Sequence, residues 1–236
     1  MQTVYYLILV PMVYAAFAVF IFGTAWRLVQ TARRPAHGAT LQIFPKKDPP
    51  WLYAVADTFF MPSILRHSPV LWFFLAVFHL VVALLIIGHL ELFAQWRLLQ
   101  IVPHKVFLGK GFVGLAAAVS LLFLFFRRFH APVRDLSVPE DYYLLILLFL
   151  TVIFGSQMDW ARRWFDYDVL GVEAYRAYLW SLVTLKPFVP DEIVYSGHGF
   201  MLVLHVFFAN VFLMVFPFTK MMHTFLALPM NLLKRG

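Results

Sequence analysis

Residues 71–90 read LWFFLAVFHLVVALLIIGHL, twenty positions without a formal charge. A helix rising about 1.5 Å per residue crosses the hydrocarbon of a bilayer in a stretch of this length. The segment therefore predicts a membrane span, and it contains two histidines, His79 and His89. An ionisable ring inside hydrocarbon is costly and marks a functional position. A second apolar stretch, residues 201–223, carries His205 and His223. Two spans with two histidines each can supply the four nitrogens that two six-coordinate haem irons require. These four residues are the candidate metal ligands and cofactor-binding residues. They point to a di-haem b-type cytochrome that moves electrons through a membrane.

Composition supports a membrane location. Of the 236 residues 62% are hydrophobic and 13% charged, against about 25% charged in soluble domains. The 27 phenylalanines suit lipid contact and the packing of a large planar cofactor. The absence of cysteine excludes disulfides, iron–sulfur ligation, thiolate-bound haem and covalently attached haem. Any haem is then non-covalent and held by His or Met, and the four histidines lead to the expectation of two haem b groups. The first twenty residues, MQTVYYLILVPMVYAAFAVF, lack a basic start and read as a retained helix.

Hydropathy predicts an all-α, single-domain chain over residues 1–236. It is expected to form an integral membrane bundle of five transmembrane helices, at about residues 4–26, 70–93, 108–127, 142–158 and 193–219. Pro11 reads as a tolerated kink and Pro217, within FPF, as a bend in the last helix. Segments 40–68 and 159–190 are too polar to span and read as interfacial, the first also as a docking platform for a soluble partner. Gly109, Gly111 and Gly114 invite a close neighbour at the start of the third helix. Ser137 and Glu140 have capping-box spacing for a helix starting near Pro139.

Five spans put the termini on opposite sides. The side holding residues 27–69, 127–141 and 220–236 has twelve Lys/Arg and five Asp/Glu, and the other side has seven of each. The positive-inside rule then sets the N-terminus outside and the C-terminus in the cytoplasm of a multi-pass prokaryotic inner-membrane protein. The net charge of +7 lies wholly on the cytoplasmic face, so nucleic-acid binding is an unnecessary hypothesis.

In this topology His79 and His223 lie toward the cytoplasm, and His89 and His205 toward the outside. The spacings do not match. Ten residues separate the first pair along its helix, a rise of about 15 Å, and eighteen separate the second, about 27 Å in unbroken helix. Tilt, the Pro217 bend or ligation from different sides has to absorb the difference. His37, His67, His104, His130 and His198 fall in polar links or near helix ends and read as surface residues. Two rival readings are a haem-free membrane anchor of a redox complex and a transporter. The transporter would want intramembrane carboxylates or basic residues that the helix centres lack.

WFFLAVFHLVVALLIIGHLELF resembles the haem helix of the gamma subunit of respiratory nitrate reductase, in which two histidines ten apart have Gly before the second, here His79, Gly88 and His89. LHVFFANVFLMVFPFTKMMH is similar to that family's last helix. The matching positions are His205, Phe216, Pro217, Phe218, Thr219, Lys220 and His223. The long basic link before the second helix departs from nitrate reductase itself, and so does VRDLSVPEDYY, which looks more like the cytochrome b subunits of heterodisulfide-reductase-like and dissimilatory sulfite-reductase-linked membrane complexes. The resemblance implies that His79 pairs with His223 at an inner haem and His89 with His205 at an outer one. It implies quinol chemistry near the outer haem, oxidation of menaquinol or ubiquinol or the reverse reduction of the quinone, with Lys105 the nearest candidate for a quinol-binding lysine. It also implies a cytoplasmic iron–sulfur subunit as partner, and a periplasmic cytochrome c is a further candidate.

Overall fold

The structure is a computed structural model that describes residues 2–33, 45–94, 111–168, 170–195 and 197–235. Lys105 and Gly109 lie outside the described residues, as do the first residues of the 40–68 segment. The described residues are helical, with no strand among them.

In chain order the helices are α1 (Gln2–Leu9), α2 (Pro11–Ala32), α3 (Pro50–Phe59), α4 (Pro62–His67), α5 (Pro69–Glu91), α6 (Phe112–Arg127), α7 (Pro139–Phe165), α8 (Val172–Val183), α9 (Asp191–Tyr195), α10 (Gly199–Val215) and α11 (His223–Arg235). Prolines open α2, α3, α4, α5 and α7, where a missing N–H costs nothing. Four stretches are long and apolar enough to cross a membrane, namely Gln2–Ala32, Pro69–Glu91, Pro139–Phe165 and Gly199–Phe218. The helix expected at 108–127 is described as the shorter apolar Phe112–Arg127.

The long helices pack in a row. α5 lies on α6, α6 on α7, α7 on α10, and α10 on α2. Small residues set the closest contact, since a Cβ at Gly114 would collide with Ser156 of α7. Gly111, at φ +85°, sits beneath the Trp160 indole, whose Nε1 donates to the Gly111 carbonyl at 3.0 Å. The expectation of a close neighbour at these glycines is met.

Pro11 does more than kink the first span. It divides α1 from α2 at Val10, and two carbonyls beside the break find partners. Asn210 of α10 donates to Ile8 at 3.1 Å, and the buried Tyr178 hydroxyl donates to Leu9 at 2.6 Å. Burial pushes the Tyr178 phenol above its ordinary pKa, so it stays a donor. Around this junction Leu9, Val10, Val13, Leu182, Ile193, Leu202 and Val203 form the main apolar core.

The start of α7 differs from the expected capping box. Asp141, not Glu140, accepts from the Val138 N–H, at 3.1 Å. The Ser137 hydroxyl turns back to the Val133 carbonyl at 2.7 Å. Pro139 shifts the helix start by one residue, so the third helical position falls on Asp141.

The last span departs most from expectation. It is not one bent helix over 193–219. α9 precedes it, α10 stops at Val215, and two 3-10 turns, Phe216–Phe218 and Lys220–Met222, lead into α11. Pro217 removes a donor from the ladder and ends the helix. A Cβ on Gly23 of α2 would lie 2.9 Å from the Pro217 ring, so the break nests against that glycine. Arg27 Nε donates to the Pro217 carbonyl at 3.1 Å.

α11 folds back on α3. Arg235 Nη2 and Nε contact Asp57 Oδ2 at 2.5 and 2.6 Å, with the two side chains 13% and 14% exposed, and Asn231 donates to Thr58 Oγ1 at 2.9 Å. Arg235→Ala should strand the largely buried Asp57 carboxylate and destabilise the α3–α11 pair by about 2 kcal/mol. Limited proteolysis in detergent should then show earlier cleavage between residues 44 and 68, and unchanged cleavage rates would count against the pair as a stabilising contact.

Candidate functional site

α5 carries His79 and His89 on the side turned toward α10 and α11. Its extensive helix contacts are with α4 and α6, and its histidines reach across to the last span. The His89 and His205 rings lie 5.9 Å apart between centroids with 25° between their planes. The His79 and His223 rings lie 6.3 Å apart at 83°. The structure thus brings the four histidines together as two pairs, in the combination that the resemblance implied.

Each ring is held by its Nδ1. His79 Nδ1 donates to the Leu75 carbonyl at 2.7 Å, His89 Nδ1 to Leu85 at 2.6 Å, His205 Nδ1 to Thr151 at 2.8 Å and His223 Nδ1 to Lys220 at 2.9 Å. A carbonyl can only accept, so each Nδ1 carries a proton, and in the neutral ring Nε2 is then the atom with the free lone pair. Backbone carbonyls that orient an imidazole in this way are the usual outer-shell partners of metal-bound histidine. The separations also suit one metal ion between each pair of rings. A metal–nitrogen bond of about 2 Å on each side places two facing imidazole centroids about 6 Å apart. Among the described residues no group of three or more His, Asp or Glu could hold a metal ion. Each pair offers two imidazoles.

Two residues of the outer pair's setting were not legible in the sequence. The ring of His205 lies over Gly155 of α7, where a Cβ would come within 2.9 Å of the imidazole. One turn earlier on α7, Thr151 offers the carbonyl that accepts from His205 Nδ1. The only sequence signal is the pair of small residues four apart, which alone suggests nothing more than close helix packing.

Of the other histidines, His67 and His130 are exposed, with Nδ1 donating to the carbonyl one turn back. His198 is exposed at the start of α10, its ring 4.5 Å from that of Tyr167. His37, His104 and Lys105 lie outside the described residues.

A helical membrane protein with two imidazole pairs between an early apolar helix and its last, broken span is the class that fold and site define. Residues 62–236 match the family described as the nitrate reductase gamma subunit, and the chain belongs to that family. The chain is 28% identical over 257 residues to a protein of Archaeoglobus fulgidus named Hdr-like menaquinol oxidoreductase cytochrome b-like subunit, covering 92% of this chain and 75% of the relative. The protein of the same name from Archaeoglobus profundus is 27% identical, covering 89% and 73%. The nitrate reductase gamma chain of Bacillus subtilis is 28% identical over 138 residues, covering 56% and 58%.

The hydrogen bonds predict a spectroscopic state. In 15N-histidine-labelled protein without metal, held at a pH above the imidazole range, His79, His89, His205 and His223 should all carry their proton on Nδ1. Gly155→Leu should shift the His205 resonance by driving its ring off Thr151 and leave that of His79 in place. An Nε2–H tautomer at any of the four would contradict the assignment.

Proposed function

We propose that this chain is a di-haem b-type cytochrome subunit, in which His79 and His223 hold an inner haem iron and His89 and His205 an outer one. The observation that carries the reading is the pairing itself. Two imidazole couples lie 6.3 and 5.9 Å apart, every Nδ1 is engaged by a carbonyl and every Nε2 is left to donate to a metal. Bound there, the haems would supply reversible one-electron chemistry at two depths of the membrane.

The protein's share is to bind, orient and insulate. Phe154 and Phe208 stack at 5.7 Å between α7 and α10, and Phe74 and Phe123 at 3.9 Å between α5 and α6. Aromatic packing of this kind between the helices would lower the dielectric around a bound haem. The family and the names of its relatives support a substrate in the menaquinol pool, with electrons passing between that pool and a cytoplasmic iron–sulfur partner of a heterodisulfide-reductase-like or nitrate-reductase-like complex. The proposed orientation has the N-terminus outside and the C-terminus in the cytoplasm, a reading supported by the asymmetry of basic residues. The partner then docks on the face that holds α3, α4 and α11, where Trp51, Leu52, Phe59 and Phe60 are exposed beside Lys46, Lys47 and Arg66.

Two experiments test this reading. Replacing a single axial histidine by alanine should remove one haem and spare the other. His79→Ala and His223→Ala should deplete the same low-spin component in redox titrations, and His89→Ala and His205→Ala the other, each lowering haem content from two to one per chain. Depletion of a common component by His79→Ala and His205→Ala would show that the ligands cross, and unchanged haem content in all four variants would falsify the di-haem reading. The second experiment fuses a reporter after Gly236. It should be active in the cytoplasm, and a periplasmic signal would reverse the orientation and the docking face with it.

A further inference from the structure

The segment that turns His223 toward His79 is not self-supporting. Thr219, at φ −120° and ψ 174°, is extended backbone between the two 3-10 turns. The residue after it, Lys220, is gripped at three points. Its N–H donates to Glu140 Oε1 at 2.8 Å, its Nζ donates to Asp141 Oδ1 at 2.8 Å, and its carbonyl accepts the Nδ1–H of His223 at 2.9 Å.

Asp141 is the fixed end of this chain of bonds. It is 5% exposed, and its second oxygen accepts from Arg128 Nη1 at 3.1 Å and from the Val138 N–H at 3.1 Å. A buried carboxylate with both oxygens engaged by charge-assisted bonds has little freedom to move. The start of α7 is therefore tied to the ring of His223 through one lysine. The carbonyl that receives an axial histidine's Nδ1–H sets the rotation of its ring and the basicity of Nε2. The two pairs differ in that rotation, with the inner rings crossed at 83° and the outer rings nearly parallel at 25°.

We propose that Lys220, anchored by Glu140 and Asp141, is the positioning residue that holds the His223 imidazole crosswise to His79 and so makes the inner metal site electronically distinct from the outer one. The proposal rests on the di-haem reading. In a low-spin ferric haem, parallel axial imidazoles split the iron d orbitals and give a rhombic paramagnetic resonance signal. Crossed imidazoles leave two of those orbitals nearly degenerate and give a strongly anisotropic signal with a large maximum g value. Ring rotation is therefore visible in a spectrum, independently of turnover.

The test is electron paramagnetic resonance of the oxidised full-length protein, with haem content measured alongside. The wild type should show two low-spin components, one of them with the large maximum g value. Lys220→Met should move that component to lower g and leave the rhombic one in place. Lys220→Arg, which keeps a cation for Asp141, should retain the wild-type spectrum. Glu140→Ala, which leaves the Lys220–Asp141 ion pair intact, should give a smaller shift in the same direction, and it carries the test alone if Lys220→Met does not fold. A large-g component unmoved in the folded variants at full haem content would overturn the clamp, as would an equal shift of both components. A wild type with fewer than two haems would instead overturn the di-haem reading, and the clamp with it.

Discussion

The interruption of the last apolar stretch at residues 216–222 is the constraint on which the site depends. An unbroken helix would set His205 and His223 about 27 Å apart along its axis, while the same geometry sets His79 and His89 about 15 Å apart. Two sites at two depths require those distances to agree. The last span is not such a helix: it ends at Pro217, runs extended through Thr219 and restarts at His223, which lets the chain change direction before its second histidine. Both ring pairs then close to about the same separation, 5.9 and 6.3 Å.

A break in a membrane helix exposes backbone groups that lipid cannot satisfy, so such breaks persist only where neighbouring protein supplies partners. Here three elements do so. Arg27 of α2 donates to the Pro217 carbonyl, Glu140 of α7 accepts from the Lys220 N–H, and the Thr219 hydroxyl accepts from the Met221 N–H. Gly23 provides the space in which the Pro217 ring sits. The break between α1 and α2 follows the same logic, with Asn210 and Tyr178 as partners. α10 thus contributes a histidine to the site, a side-chain amide to one break and its own C-terminus to the other.

α7 carries no histidine, yet it orients both histidines of the last span. Its Thr151 carbonyl holds His205, its Gly155 leaves room for that ring, and its first turn holds Lys220, whose carbonyl holds His223. The two ends of the molecule are secured differently. At the end holding the α1–α2 junction the packing is apolar, with Leu9 and Ile193 fully buried. At the end holding the break after α10 it is electrostatic, with Asp141 between Arg128 and Lys220 and Asp57 against Arg235. Apolar contacts tolerate small displacements, whereas charge-assisted hydrogen bonds fix distance and direction. The latter suit the end where the chain must turn sharply.

By itself the sequence determined the helical class, the apolar stretches and the four histidines. Those follow from local properties, namely hydrophobicity summed over about twenty residues and the rarity of ionisable rings within such runs. It also marked Pro217 as a disturbance and Gly111 and Gly114 as sites of close approach. Only the tertiary structure decided that Pro217 ends its helix rather than bending it, because that outcome depends on Gly23 and Arg27, nearly two hundred residues away in the chain. The same holds for the orientation of each ring. His205 takes its rotation from a backbone carbonyl on another helix, and carbonyls have no signature in a sequence. Glu140 reads in the sequence as half of a capping box with Ser137, a local role. The bonds of Glu140 and Asp141 to Lys220 exist because packing α7 against the last span brings residues eighty positions apart within 2.8 Å, a proximity that no local pattern encodes.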